Sequence, residues 1–441
     1  MKYLKIVAVL FLFTQNQIIG QEIKLSKEQR LEWFKDAKLG IFIHWGIYSV
    51  NGIDESWSFY NDYISYSDYM KQLDGFTAKN YDPEFWAKLI KESGAKYAVI
   101  TTKHHDGVAL WDTKYSDLNV VKNTKAKRDL ISPFINAARK ENLKVGVYYS
   151  LLDWSNPNYP NFTRKTKKYE NDTKKWEAFT KFNFGQIEEL TKFNPDLYWF
   201  DGDWEQSAEK WKAKEIRSLL LSKTPTTIIN SRLQGYGDYA TPEQGLPVVK
   251  PENDYWELCM TTNNSWGYQP NDTHYKSVNQ LIRIFVDCIS MGGNLLLDIG
   301  PKPDGTIAQE QVAILKGIGR WTNKHESAIY GTRAGIPQGH FNGYTALSKD
   351  KTILYLYVDN KPNGPLLIKG LKNVINRIWV VGNGTKLKYD VVGKQYWSDV
   401  PGMLYIDLPE EVQDKDVTVI AIQLRNEVDL YREKGQVVES N

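Results

Sequence analysis

The chain has 441 residues, which at ~100–200 residues per domain means two or three domains, or one large barrel with an accessory. Its 41% hydrophobic and 25% charged residues are those of a globular protein and exclude wholesale disorder. Lys and Arg (56) nearly balance Asp and Glu (53), so there is no basic excess for nucleic acid, and two cysteines cannot build a disulfide framework or a four-thiolate zinc site. Residues 1–20 read as a signal peptide: Lys2 and Lys5 precede an apolar run, Ile6 to Phe13, too short to span a bilayer, and a polar stretch ends at Gly20. No Cys follows to carry a lipid anchor, and no other apolar run reaches the ~18 residues a membrane helix needs. The mature chain, from about Gln21, is therefore expected to be exported, periplasmic or secreted, without a membrane partner.

Candidate strands follow at 39–45, 97–103, 144–150, 197–202, 226–232, 254–260 and 293–300. Helical patterns intervene at 82–94, 129–142, 171–192, 209–222 and 275–293. Short apolar runs that alternate with longer helices are the grammar of a parallel sheet. Their number favours a (β/α)8-like barrel of the TIM type over an open doubly wound sheet, irregular because only seven strands are evident. Neither a G-x-G-x-x-G after a strand nor a G-x-x-x-x-G-K-[ST] is present, so dinucleotide and nucleotide folds lose their main support. The lysine-rich stretch 163–176 reads as the solvated start of a barrel helix rather than a polyanion site.

After Gly331 the pattern changes to short strands at 353–359, 364–370, 376–382, 387–393, 403–409 and 417–424, separated by turn residues. These predict a C-terminal antiparallel β-sandwich. The expected division is a catalytic barrel over 21–334, a sandwich over 335–426 and a fraying polar tail over 427–441. Cys259 and Cys288 are available to pair in an oxidising compartment, but their spacing does not show that they meet.

Barrel active sites collect at the C-terminal ends of the strands. Here those ends carry His44-Trp45-Gly46, Lys103-His104-His105-Asp106, Tyr148 and Ser150 on one face, Trp199-Phe200-Asp201-Gly202-Asp203, and Asn230-Ser231-Arg232. His104 and His105 are adjacent, so on a strand they would point to opposite faces, and no H-x-E, H-x-H or H-E-x-x-H pattern supports a metal; none is expected, nor a cofactor. A G-x-S-x-G elbow is likewise absent. Carboxylates among aromatics and neutral donors are the working set of a glycosidase, in which one carboxylate attacks the anomeric carbon and another protonates the leaving oxygen. The 15 Trp and 27 Tyr suit sugar faces as well as large cores.

GIFIHWG, TTKHHDG, GVYYSLLDW, LYWFDGDW, TPEQ with WELCMT and SWGY, and GGNLLLDIGP, in that order from Trp33 to Trp321, resemble glycoside hydrolase family 29, the retaining α-L-fucosidases. The resemblance implies that Asp201, closing the fourth strand, is the nucleophile and that a terminal fucose on a glycan is the substrate. His44, His104 and His105 match imidazoles that hydrogen-bond fucose hydroxyls. Tyr148, Trp199 and Arg232 match further site residues, and Trp57 resembles a tryptophan near the C5 methyl group. Where the family often has Glu before that Trp, this chain has Ser56, with Glu55 one residue further back. For the acid/base, Glu243 sits in a Gly/Pro-rich loop able to swing a carboxyl over the site and best matches the family position. Glu257, the alternative, lies within a strand. The same machinery would serve an α-L-galactoside or a sulfated fucan, whereas a non-catalytic sugar-binding relative would lack Asp201 or both glutamates. Oligomeric state is not legible in the sequence.

Overall fold

The structure, a computed structural model, describes residues 25–434; the signal-peptide reading of 1–20 and the end of the tail lie outside them. Seven parallel strands form one curled sheet: β1 (Leu39–Ile43), β2 (Tyr97–Lys103), β3 (Lys144–Ser150), β4 (Leu197–Asp201), β5 (Ile228–Ile229), β6 (Glu257–Thr261) and β7 (Asn294–Ile299), in the order β5-β4-β3-β2-β1-β7-β6. The gap between β5 and β6 is bridged by the segment 238–244, through the parallel pairs Asn230–Tyr239, Ala240–Trp256 and Glu243–Cys259. Its hydrogen bonds include Glu257 N to Ala240 O (3.0 Å) and Cys259 N to Pro242 O (3.0 Å). This segment is the eighth stave, and Pro242, which has no N–H to give a ladder, keeps it irregular. The fifth and sixth strands are accordingly shorter than, or shifted from, the expected 226–232 and 254–260.

Helices α1 (Lys27–Ala37), α2 (Pro83–Glu92), α3 (Ile131–Lys140), α4 (Thr173–Thr191), α5 (Ala213–Lys223), α6 (Val278–Ser290) and α7 (Gln309–Lys324) surround the sheet. The first was not evident from apolar periodicity, yet Ser26 and Gln29 form a capping box at its start, a pattern visible in the sequence. In the lysine-rich stretch the helix begins only at Thr173, after the N-cap Asp172. Before it, Asn161–Thr163 and Thr166–Lys167 pair as a small hairpin, which corrects the all-helical expectation there. Both faces of the barrel strands are buried, as a parallel sheet requires. Phe42, Tyr97, Tyr148, Trp199, Tyr239 and Leu296 share one apolar cluster, while alternate residues such as Ile41, Ile43, Val147 and Phe200 join a second one with the helices.

The C-terminal region holds β8 (Arg333–Ala334), β9 (Tyr344–Leu347), β10 (Ile353–Val358), β11 (Leu366–Ile368), β12 (Ile375–Val380), β13 (Tyr389–Val392), β14 (Met403–Ile406) and β15 (Thr418–Leu424). They form two antiparallel sheets, β8-β9-β10-β15-β12 and β11-β14-β13. Leu354, Leu356, Ile420 and Ile422 fill the sandwich core, whereas Tyr355, Tyr357, Val419 and Ala421, on the opposite face, pack into the barrel's cluster. The polar tail is tied down at its start: Val428 N donates to Lys351 O (3.0 Å) and Tyr431 N to Gly370 O (2.8 Å). Cys259 and Cys288 are both buried free thiols.

Candidate active site

Asp201 closes β4 and is buried, 8% exposed as a residue. Gly202 follows at φ +81, and a Cβ there would lie 2.4 Å from Leu152 Cγ, so the turn that releases the chain after Asp201 demands glycine. Tyr148 Oη donates to Asp201 Oδ2 (2.9 Å) and Arg232 Nη1 to Oδ1 (2.8 Å). Burial alone would raise this carboxyl, but the Arg232 charge and these hydrogen bonds outweigh it and hold Asp201 below the ordinary Asp range. Arg232 lies over the Trp199 ring, 4.4 Å from its centroid, and its Nη2 donates to Glu243 Oε2 (2.5 Å). One planar guanidinium therefore links both carboxylates, a bidentate role that lysine could not fill.

The three imidazoles converge because β2 ends at Lys103 and the chain turns there, leaving the His104 and His105 ring centroids 4.3 Å apart rather than on opposite faces. His44 Nδ1 meets Asp298 Oδ1 at 2.6 Å, His104 Nδ1 meets Ser56 Oγ at 2.6 Å and His105 Nδ1 meets Ser150 Oγ at 2.6 Å. Ser150 gives its own proton to Leu152 O (2.7 Å), so it accepts from His105 Nδ1–H and leaves Nε2 as a lone pair 3.6 Å from Asp201 Oδ2. Burial lowers His44 to about 3 and His105 to about 4, so both are neutral above that range. Burial likewise pushes Asp298 well up, favouring a shared proton with His44 over an ion pair. Each ring is thus pinned at Nδ1. Among the described residues no group of three or more His, Cys, Asp or Glu is arranged to hold a metal ion.

The two candidate glutamates differ sharply. Glu243 is exposed on the eighth stave at the rim. Glu257 is fully buried, accepting from Tyr97 Oη (2.6 Å) and Trp199 Nε1 (2.9 Å) inside the barrel. Trp57 stands half-buried against His105 (5.4 Å) and Trp154 (5.0 Å). Ser56, which stands where the family often has Glu, is hydrogen-bonded to His104, and Glu55 Oε1 accepts from Gly267 N (2.6 Å). Sequence reasoning missed Asp298, at the end of β7, and Trp266, whose ring centroid lies 5.0 Å from that of His44. Asp298 carried a signal, a carboxylate at a strand's C-terminal end; its partner His44 is too far along the chain for any local pattern.

An irregular barrel with two carboxylates at its rim, one buried and one exposed, among aromatic rings and neutral donors, defines a glycoside hydrolase. A family model described as alpha-L-fucosidase matches residues 14–327. Human tissue alpha-L-fucosidase is 30% identical over 414 residues, 86% of this chain and 85% of that one. Among solved structures, alpha-L-fucosidase isoenzyme 1 from Paenibacillus thiaminolyticus superposes with a TM-score of 0.83 at 33% identity, covering 91% of this chain and 100% of that one. A family 29 alpha-L-fucosidase from Bacteroides thetaiotaomicron, caught as a trapped covalent intermediate with 2-fluoro-fucosyl fluoride, gives 0.79 at 29% identity, covering 90% of this chain and 96% of that one. The chain belongs to the alpha-L-fucosidase family.

Proposed function

We propose that the protein is an exported, exo-acting α-L-fucosidase that removes terminal α-L-fucosyl residues from glycans with retention, through a covalent fucosyl-enzyme. The observation that carries this reading is the Arg232 guanidinium joining buried Asp201 to exposed Glu243, with His105, one of the three pinned imidazoles, 3.6 Å from Asp201. Asp201, ionised and held by Tyr148 and Arg232, attacks C1 while Glu243 gives a proton to the departing oxygen. Water deprotonated by Glu243 then releases fucose with net retention, the acid having become the base. Proton delivery requires the Arg232–Glu243 contact to open as the sugar enters. The enclosure of Glu257 by Tyr97 and Trp199 supports an anchoring role for it and leaves Glu243 as the acid/base. His44, His104 and His105 present Nε2 to the fucose hydroxyls, Trp57 faces the C5 methyl, and Trp199 serves as the shelf for Arg232.

Asp201→Gly should lose about a thousandfold or more of the turnover of an aryl α-L-fucoside; activity within about tenfold of wild type would remove Asp201 from the nucleophile role. For Glu243→Ala, azide should restore turnover as a fucosyl azide of retained configuration. Rescue in Glu257→Ala instead would transfer the acid/base role. Export is tested by the N-terminus of the protein recovered outside the cytoplasm, expected near Gln21.

A further inference from the structure

Trp204 is a large ring at the barrel mouth, outside the set of residues assigned to fucose. It stands in the 3-10 turn Asp203–Glu205, three residues after Asp201, and is 50% exposed. Its neighbours are locked on both sides. Gln234 N donates to Asp203 Oδ2 (2.8 Å) and Trp211 Nε1 to Asp203 O (2.8 Å). Glu205 accepts from Tyr159 Oη (2.6 Å), Asn161 Nδ2 (2.6 Å) and Trp154 Nε1 (3.3 Å). An exposed indole on a turn so firmly held loses little freedom on binding, the condition under which an aromatic face contributes most to affinity.

The ring also continues a wall. Trp154 is fully buried, Trp57 is half-buried with its centroid 5.0 Å from that of Trp154, and Trp204 lies nearly parallel to Trp57 at 6.3 Å and 14°. Trp204 meets the His105 ring edge-on at 6.1 Å, and His105 Nε2 lies 3.6 Å from Asp201 Oδ2. The inner end of this wall belongs to the fucose site and its outer end faces solvent, the direction in which the remainder of a glycan must project.

We propose that Trp204 is the platform for the leaving group: the pyranose ring to which fucose is joined lies with its C–H face on this indole. The proposal rests on the fucosidase reading and adds the neighbouring subsite to it. The flat apolar face selects an uncharged sugar ring over a phosphate or a carboxylate, because it offers dispersion and C–H contact and no charge partner.

The test compares wild type, Trp204→Ala and Trp204→Phe on α-L-fucosyl fluoride, whose leaving group has no ring and needs no proton, and on a fucosylated trisaccharide. Trp204→Ala should lower kcat/KM for the trisaccharide about tenfold, equivalent to about 1.4 kcal/mol, with fluoride turnover unchanged within about twofold. Trp204→Phe should recover most of the loss, and thermal melting of each variant checks that the fold is kept. Equal loss on both substrates would assign the ring to the fucose site, and no loss on either would leave it without a role; each overturns the platform. Wild type inactive on both substrates would instead sink the fucosidase reading beneath it, a distinct result.

Discussion

Arg232 governs the charge on Asp201, because burial raises that carboxyl while the guanidinium and its hydrogen bond lower it, and the second effect prevails. A carboxylate whose folded pKa is depressed stays ionised below the ordinary Asp value of ~3.9, and its stabilising contribution disappears only as pH falls through the folded value. The acidic limb of kcat/KM should therefore lie low in wild type and move to higher pH in Arg232→Met, where burial meets less opposition and the Tyr148 hydrogen bond remains. A limb that stays in place would separate Arg232 from the ionisation of Asp201. Glu257 behaves oppositely: burial, the largest effect, raises it to about 7. The folded protein then holds a proton that the unfolded chain has released, so stability declines as pH rises from about 4 to about 7. Glu257→Gln should flatten that decline, measured as melting temperature against pH, while keeping activity within about tenfold of wild type. Loss of activity comparable to that of Glu243→Gln would count against a purely anchoring carboxyl. In the sequence these two glutamates are distinguished by loop against strand and by the family position that Glu243 matches; the burial of Glu257 is set by Tyr97 and Trp199, residues far away in the chain.

At the scale of elements, the eighth stave decides where Glu243 stands. Gly237 precedes it, and a Cβ there would lie 2.1 Å from Asn230 O and 2.6 Å from Ser231 Cα, both backbone atoms that cannot yield by rotation. Gly237→Ala should push the segment off β5, costing roughly 1–3 kcal/mol of stability and lowering kcat about tenfold or more as Glu243 leaves its place beside Arg232. A lower melting temperature with unchanged kcat would show that something other than this stave positions the carboxyl. The stave was illegible as a strand because Pro242 interrupts it, Gly237 and Gly245 flank it, and its pairing rests on isolated bridges. The longer strands, β1 to β4 and β7, were legible because the middle of each is a short apolar run buried on both faces. The Ser26–Gln29 box shows that α1 could have been found from its cap even though apolar periodicity did not reveal it.

In the whole molecule, barrel and sandwich share one apolar cluster, and α7 is the seam. Trp321, fully buried, donates from Nε1 to Val417 O (2.8 Å), and Tyr357 Oη donates to Ala328 O, just beyond the helix end. Arg320 and Lys324 reach Asp414 at 2.9 Å and 2.8 Å beside it. Trp321→Ala should cost about 3–5 kcal/mol, and calorimetry should show a single unfolding transition that shifts as a unit; two separate transitions in wild type would mean that the seam does not couple the halves. The sequence by itself determined the alternation of strands and helices, the change to β-structure after Gly331 and the chemical residues at each strand end, because periodicity, turn residues and motif spacing are local. Only the tertiary structure decided that His104 and His105 face the same way, that Asp298, Ser56 and Ser150 pin the imidazoles, and that one guanidinium joins Asp201 to Glu243. Those contacts link residues up to 254 positions apart, and it is closure of the barrel, not any local preference, that brings them within hydrogen-bond distance.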